Sequence, residues 1–373
     1  MREFLRVGAI AILTCVPLLS APAFLCAAQS ADWERTVAEA KREGQVTAYL
    51  QGDMAYVQDF QKAYPEIKIL EYGAGGGGAQ VGPRALTERR AGKYMLDLYI
   101  GGPGTPFSFF HRAKALDPVR PILSLPEVVD ETKWFEGKHH YIDNEGQYIF
   151  LFEGTAQPYI SYNTKLVKPD ELTSYGDLLK PKWKGKIASD DPMTPGIVGH
   201  GTRFMYYSPE LGPKFLTRLF GETDLIIARD RRQRLDWLAS GKILLCLFCY
   251  GVDEAKLQGL PVDSVGPYSL KEGASIVPIT GSLALLNKAP HPSAAKVFIN
   301  WFLSREGQIA YQKSRLASGG ADSLRLDIPK DDVPPLSRRR TGGKYLNTGR
   351  PEWIDVAPIR NLIKETMMKA RPK

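Results

Sequence analysis

An α/β fold in two domains is what this sequence predicts, and three observations carry it. Short apolar runs alternate with amphipathic stretches along most of the chain, the pattern of strands in a parallel or mixed sheet covered on both faces. At 373 residues, 43% hydrophobic and 24% charged, the chain has an ordinary globular composition and exceeds what one core organises. The third is the stretch at 159–192, YISYNTKLVKPDELTSYGDLLKPKWKGKIASDDP. Its alternating strand leads through a Lys-Pro-Asp turn, a short helix and a basic connector to a second strand that ends in Asp190-Asp191-Pro192. A Thr-Pro-Gly helix start follows, so a helix N-terminus sits at the carboxyl end of a sheet, where open α/β folds take ligands.

The first residues read as a leader. Arg2 and Arg6 precede an uncharged run over 7–28 that ends in Cys26-Ala27-Ala28, the layout of a cleavable secretory signal over 1–28. The run is long enough to span a bilayer, but Pro17 and Pro22 break it and the Ala-Ala end suits a peptidase. Leu25 stands where a lipoprotein site needs a small residue, so lipidation at Cys26 is not expected. The net charge of +8 fits an anionic partner or plain solubility; export and the lack of dense basic blocks beyond Arg338-Arg339-Arg340 argue against nucleic acid.

Along the rest of the chain, Trp33, Val37 and Ala40 share a helix face that ends at Gly44. A strand at 46–50, a helix at 54–64 closed by Pro65, and a strand at 67–72 follow. Glycines at 75–78, a helix at 80–91 and a strand at 96–100 come next, whereas 104–150 show no period and yield no element. After the strands at 159–163 and 186–189, two helices flank Ser208-Pro209. A short strand at 225–228 precedes a helix at 229–240 stopped by Gly241. The run ILLCLFCY at 243–250 is the strongest strand signal in the chain. Helix at 253–258, a Gly-Leu-Pro-Val turn, and strand at 276–286 interrupted at Gly281 lead to a helix at 294–305 with Val297, Phe298, Trp301 and Phe302 inward, continuing to Lys313. A Pro- and Arg-rich loop at 328–349 and a last helix at 358–370 complete the chain.

Five phrases, ADWERTVAEAKREGQVTAY, the 159–192 stretch, RRQRLDWLASGKILLCL, KLQGLPVD and SLALLNKAPHPSAAKVFINWFLSREGQ, resemble bacterial ABC-transporter substrate-binding proteins of the type 2 periplasmic class, which includes ferric-iron binders. They occur in the family's order and cover most of the chain after the leader. The resemblance implies a two-lobe clamshell with a ligand cleft between lobes. Lobe one would be 32–160 with 283–373, and lobe two 161–282. It further implies a monomeric periplasmic receptor that closes about a hinge on a small molecule or ion and hands it to an inner-membrane ABC permease. No catalysis and no cofactor belong to that role. A sensory module presenting its ligand to a membrane kinase is the rival use of the same fold.

Loops at the carboxyl ends of strands supply the candidate ligand residues: Gln51, Gly52, Gly76, Gly102, Asp191, Thr194, Gly196, Tyr250, Gly251 and Gly281. Glycines let the backbone and its N–H groups approach a ligand. The Gly75–78 run suits either an anion cradle or an unpacked loop; Thr194 at the helix start suits an N-cap with an anion beside it. Ferric members of the resembled family use a tandem Tyr pair, a carboxylate and a His. Here only Tyr250 stands at the pair, Gly102 replaces the carboxylate, and Gly52 or Asp53 replaces the His. One phenolate is a thin donor set for a hard cation, so a small organic or inorganic anion ranks above iron, with Tyr250 the ligand if iron is bound. Arg84, Arg203 and Arg229 lie near these loops, each with a solvated helix face as its plainer role.

Two cysteines remain outside the leader, Cys246 and Cys249. In a continuous strand residues three apart face opposite ways, so two buried thiols, not a disulfide or metal pair, are expected. The five histidines show no metal spacing, Tyr206-Tyr207 falls on a helix where core packing is the default, and no Gly-x-Ser-x-Gly or His-Glu-x-x-His motif points to hydrolysis.

Overall fold

The structure, a computed structural model, describes residues 21–73, 78–194, 196–316 and 319–370. Most of the leader expected over 1–28 lies outside these. The chain enters as α1 (Ala21–Glu43), which extends ten residues N-terminal of the helix expected from Trp33 and its neighbours and includes the expected cleavage position. There follow β1 (Gln45–Leu50), α2 (Tyr56–Ala63), β2 (Lys68–Glu71), α3 (Gly78–Arg90), β3 (Leu98–Gly101), β4 (Leu116–Asp117), α4 (Pro126–Val129), β5 (His140–Tyr141) and β6 (Ile149–Leu151). A connecting strand β7 (Thr155–Gln157) leads to β8 (Ile160–Asn163), β9 (Ile187–Ser189), α5 (Ile197–Tyr207), α6 (Gly212–Glu222), β10 (Ile226–Ile227), α7 (Arg231–Ser240), β11 (Leu245–Leu247), α8 (Val252–Leu257) and β12 (Val262–Ser264). The return strand β13 (Ala274–Val277) precedes β14 (Ser282–Leu286), α9 (Pro292–Leu303), α10 (Arg305–Ser314), β15 (Tyr345–Asn347) and α11 (Ala357–Ala370).

Two large sheets organise the two lobes. The first runs β2-β1-β3-β14-β6-β5, with β4 also on β14; β1 is parallel to both neighbours, and β14 is antiparallel to β3 and β6. The second runs β10-β9-β11-β8-β12, parallel through β10, β9 and β11 and antiparallel beyond. Each has its own core. Val46, Leu98, Phe150, Phe298 and Phe302 pack in the first and Ile160, Leu216, Leu219, Leu245 and Phe248 in the second. Each such side chain contributes roughly 1.5–3 kcal/mol on leaving water.

Local chemistry explains the boundaries. Asp230 caps α7 through the Gln233 amide at 2.8 Å. The Glu43 carboxylate at the end of α1 accepts the Ser293 and Ala294 amides at 3.1 and 2.7 Å, so the first helix caps α9 and fixes it on the first lobe.

The third sheet, β15-β13-β7, joins the lobes. Strand β7 leaves β6 for β8, and β13 returns from β12 to β14; they pair antiparallel, Ser275 opposite Gln157. The chain crosses twice there, and β15, parallel to β13, carries a third crossing from α10 in the first lobe to α11 on the second, one more than the resemblance implies.

Three expectations are corrected. The strand expected over 243–250 pairs only at Leu245–Leu247, because Phe248 turns into the left-handed region at φ 59°. That turn reverses the strand alternation and brings Cys249 back to Cys246 as a disulfide, Cα–Cα 5.9 Å, within the span disulfides bridge. The two are not free thiols. The last helix does not join lobe one with the rest of 283–373: α11 packs on α6, and Ile359 and Ile363 sit in the second core. Residues 104–150, unread in the sequence, form β4 to β6 and short helical turns at the edge of the first sheet.

Candidate functional site

Register defines one rim on each large sheet. In the first sheet Leu50 pairs with Ile100, and Gly101 with Ser282, which also pairs with Leu151, so the carboxyl ends of β1, β3 and β6 meet the start of β14. In the second, Ser189 pairs with both Ile227 and Leu247, and Leu247 with Ile160. Strand β7 connects the end of β6 to the start of β8, rim to rim. Both rims thus border the joining sheet.

On the first rim, the Gln51 amide donates to Ile100 O at 2.9 Å, and Gln51 Oε1 accepts the Gly102 amide at 3.0 Å. The Gly102 carbonyl accepts the Tyr99 hydroxyl at 3.1 Å. Gly52 has φ 96°, a backbone conformation that favours glycine, and the Arg315 guanidinium lies against it. Gly281 is a packing site: a β-carbon would strike Glu153. The buried Glu153 carboxylate accepts from Thr155 Oγ1 (2.6 Å), the Tyr311 hydroxyl (2.8 Å) and the Thr280 amide (3.2 Å). Burial pushes the Glu153 pKa up against these donors and the nearby Arg315, and holds the Tyr311 hydroxyl well above the usual range. Glu153, Tyr311 and Arg315 were not among the sequence candidates; they converge from positions 153, 311 and 315 and only the fold brings them together.

On the second rim, Gly196, not Thr194, is the N-cap of α5, and no side-chain oxygen caps it. The Thr194 hydroxyl turns back to Asp191 O at 2.7 Å, closing a turn before the helix instead. The Tyr250 hydroxyl takes the cap's place, accepting the Ile197 amide at 3.1 Å. Gly196, at φ 119°, leaves clearance for that phenol, since a β-carbon would lie 3.2 Å from its oxygen. The Arg231 guanidinium lies 4.0 Å from the Tyr250 ring centroid, a cation–π contact. Gly251 begins α8 beside it. Asp191 receives Arg229 Nε and Nη2 on Oδ2 at 2.9 and 2.8 Å, and Asp190 receives the fully buried Arg234 at 3.2 Å.

The fold thus gathers Gln51, Gly52, Gly102 and Gly281 on one rim and Asp191, Thr194, Gly196, Tyr250 and Gly251 on the other. Gly76 lies outside the described residues. Arg229 is an ion-pair partner, not a free helix face. Arg84 pairs with Glu88 at 3.0 Å. Arg203 is half-buried and donates to Ile354 O at 3.4 Å. Tyr207 stacks on Trp353, centroids 4.5 Å apart, as part of the packing around α5.

His111, Asp143 and Glu145 bring ligand-type atoms within 4.8 Å of one another. They sit at or near the loop joining β5 to β6, at the end of the sheet away from the rim, and the Asp143 carboxylate already accepts the Gln147, Tyr148 and Ile149 amides. Among the described residues no helix is long and apolar enough to cross a membrane.

The family model for bacterial extracellular solute-binding proteins matches residues 43–309. The chain belongs to that family. Its structural relatives include an IdiA (FutA) protein of Trichodesmium in complex with iron and citrate, TM-score 0.63, 16% identity, covering 87% of this chain and 99% of that one. A ferric iron-binding protein A of Mannheimia haemolytica in an open conformation has TM-score 0.63 at 14% identity, covering 87% and 98%. The periplasmic binding protein AfuA of Actinobacillus pleuropneumoniae, with fructose-6-phosphate bound, has TM-score 0.57 at 18% identity, covering 86% and 97%. These likenesses establish the two-lobe periplasmic-binding fold of this solute-binding protein. No curated protein sequence matches it significantly.

Proposed function

We propose that this protein is the periplasmic, monomeric receptor of an ABC importer, that it captures a small anionic solute between the two rims by hinge closure, and that it delivers the solute to the permease without chemical change. One observation carries the choice of an anion. The only phenol among the candidates, Tyr250, has its ring under the Arg231 guanidinium and its oxygen on the N-terminus of α5. Both neighbours are positive poles. A lone phenolate between two positive poles is a poor seat for a trivalent cation and a good neighbour for a negative group. Arg229 adds a further, largely exposed guanidinium on the same rim.

The fold's relatives carry ferric iron, iron with citrate, and a sugar phosphate, so a screen needs both chemistries. Thermal denaturation with inorganic phosphate, phosphate esters, di- and tricarboxylates, ferric citrate and ferric salt checks the reading. An anion at a hundred times its dissociation constant adds about 2.7 kcal/mol of apparent stability. Stabilisation by anions that Arg231→Gln weakens at least tenfold in affinity supports the reading; stabilisation by ferric salt alone, with a visible tyrosinate charge-transfer band, overturns it.

A further inference from the structure

The disulfide sits one residue before the phenol of the second rim, and its surroundings show what it holds. β11 ends at Leu247; Phe248 turns left-handed, and its fully buried ring packs where a β-carbon on Gly201 of α5 would otherwise lie. Cys249 then returns to Cys246, which is fully buried in the strand, and Tyr250 leaves the corner to reach the Ile197 amide. A bulky residue in the left-handed region is disfavoured and persists only where its surroundings over-determine it. Two tethers flank this one, the Phe248 ring under α5 and the bond that closes Cys246 to Cys249.

We propose that the Cys246–Cys249 disulfide is a positioning element of the ligand site, holding the Phe248 corner so that Tyr250 stays on the N-terminus of α5. The significance of that placement rests on the receptor reading above; the placement itself does not. With the bond intact, the phenol is fixed relative to the helix, and the anion-facing side of the rim is pre-organised. When a dithiol reduces it, the dithiol gives up two electrons and two protons and becomes a cyclic disulfide, while Cys246 and Cys249 become thiols. The corner is then free to return to the extended backbone that a β-branched or aromatic run prefers, and the hydroxyl parts from Ile197. A chain still in a reducing compartment would carry an unfinished rim, completed only after oxidation.

The test needs no ligand. Amide hydrogen exchange is followed by NMR at Ile197 and, as references, at Cys246 in β11 and Val46 in β1, in oxidised protein, in dithiothreitol-reduced protein and in a Cys246→Ala/Cys249→Ala variant. The expected result is at least a tenfold faster exchange at Ile197 in both disulfide-free forms, with Val46 within twofold. Tyr250→Phe, which deletes the acceptor, should give the same rise in oxidised protein and little further rise on reduction, because both changes break one contact. Unchanged protection at Ile197, equal acceleration at Ile197 and Cys246, or additive effects of reduction and Tyr250→Phe would each overturn the proposal, leaving the bond a general staple. A failed anion screen with a positive exchange result would instead strike the receptor reading and leave the positioning role standing.

Discussion

The two rims solve the same geometric problem with different materials. The first is a packed network around one buried acid: Gln51 holds Gly102, Glu153 binds Thr155, Thr280 and Tyr311, and the Arg315 guanidinium lies nearby. Its polar groups answer one another, so it is a stiff wall. The second is assembled from charges and a helix end, with Arg229 on Asp191, Arg234 on Asp190 and Tyr250 on Ile197 under Arg231. The Arg229 side chain is 81% exposed, with its guanidinium held by Asp191. Ion pairs therefore organise the second rim, and packing around Glu153 the first.

The sharpest break in that comparison comes from the second core. Phe248→Ala removes a fully buried ring from between β11 and α5 and is expected to cost about 3–5 kcal/mol. Calorimetry should show one of two lobe transitions moving down while the other holds, since the cores are separate. Gly281→Ala tests the wall. The new methyl meets Glu153 and is expected to cost about 1–3 kcal/mol through overpacking, this time in the first-lobe transition, read in urea. Gln51→Ala should cost roughly 1 kcal/mol by leaving the half-buried Gly102 amide without its acceptor, and faster exchange at Gly102 checks it.

At neutral pH the smallest change is His200→Gln, yet it separates the lobes by pH. Burial, with Arg203 nearby, holds the His200 pKa down at about 3. Below the ordinary value near 6.5 the unfolded chain takes a proton that the folded chain refuses, so stability is lost as pH falls from about 6.5 towards 3. The variant should flatten that acid limb of the second-lobe melting curve. In the first lobe the slope lies at the other end: burial lowers the Lys330 pKa to about 8, so stability rises as pH climbs from about 8 to 10.5 and the buried charge is discharged. Lys330→Met should remove that alkaline rise, measured by melting temperature against pH.

How much of this was legible follows the range of each interaction. Helix α7 could be read because its cap Asp230 and its stop Gly241 are neighbours of the helix itself. The same holds for β8 and β9, whose apolar periods are local. Phe248 was not legible: its residues spell a strand, and only packing against Gly201 makes the left-handed turn worth its strain. The disulfide was missed for that reason alone, since the rule that residues three apart diverge holds only while the strand continues. Thr194 was read as a cap because the hydroxyl is in place, but the Asp191 carbonyl competes for it two residues before the helix begins. The Glu153–Tyr311–Arg315 grouping leaves no local trace, because Glu153 lies more than 150 positions from the other two. The destination of α11 was hidden likewise, because nothing in its own residues says which lobe Ile359 and Ile363 pack on.

The first and last helices ride on opposite halves of the molecule: α1 is fixed to α9 through Glu43, and α11 to α6. Arg42 and Lys369 are exposed on those helices. Cys246 and Cys249 are already bonded to each other, so in protein prepared without residues 1–28, and hence without Cys15 and Cys26, thiols introduced at these two positions would take dyes selectively. Energy transfer between them would then report whether the two halves move on addition of a solute, with neither fluorophore attached to the rims.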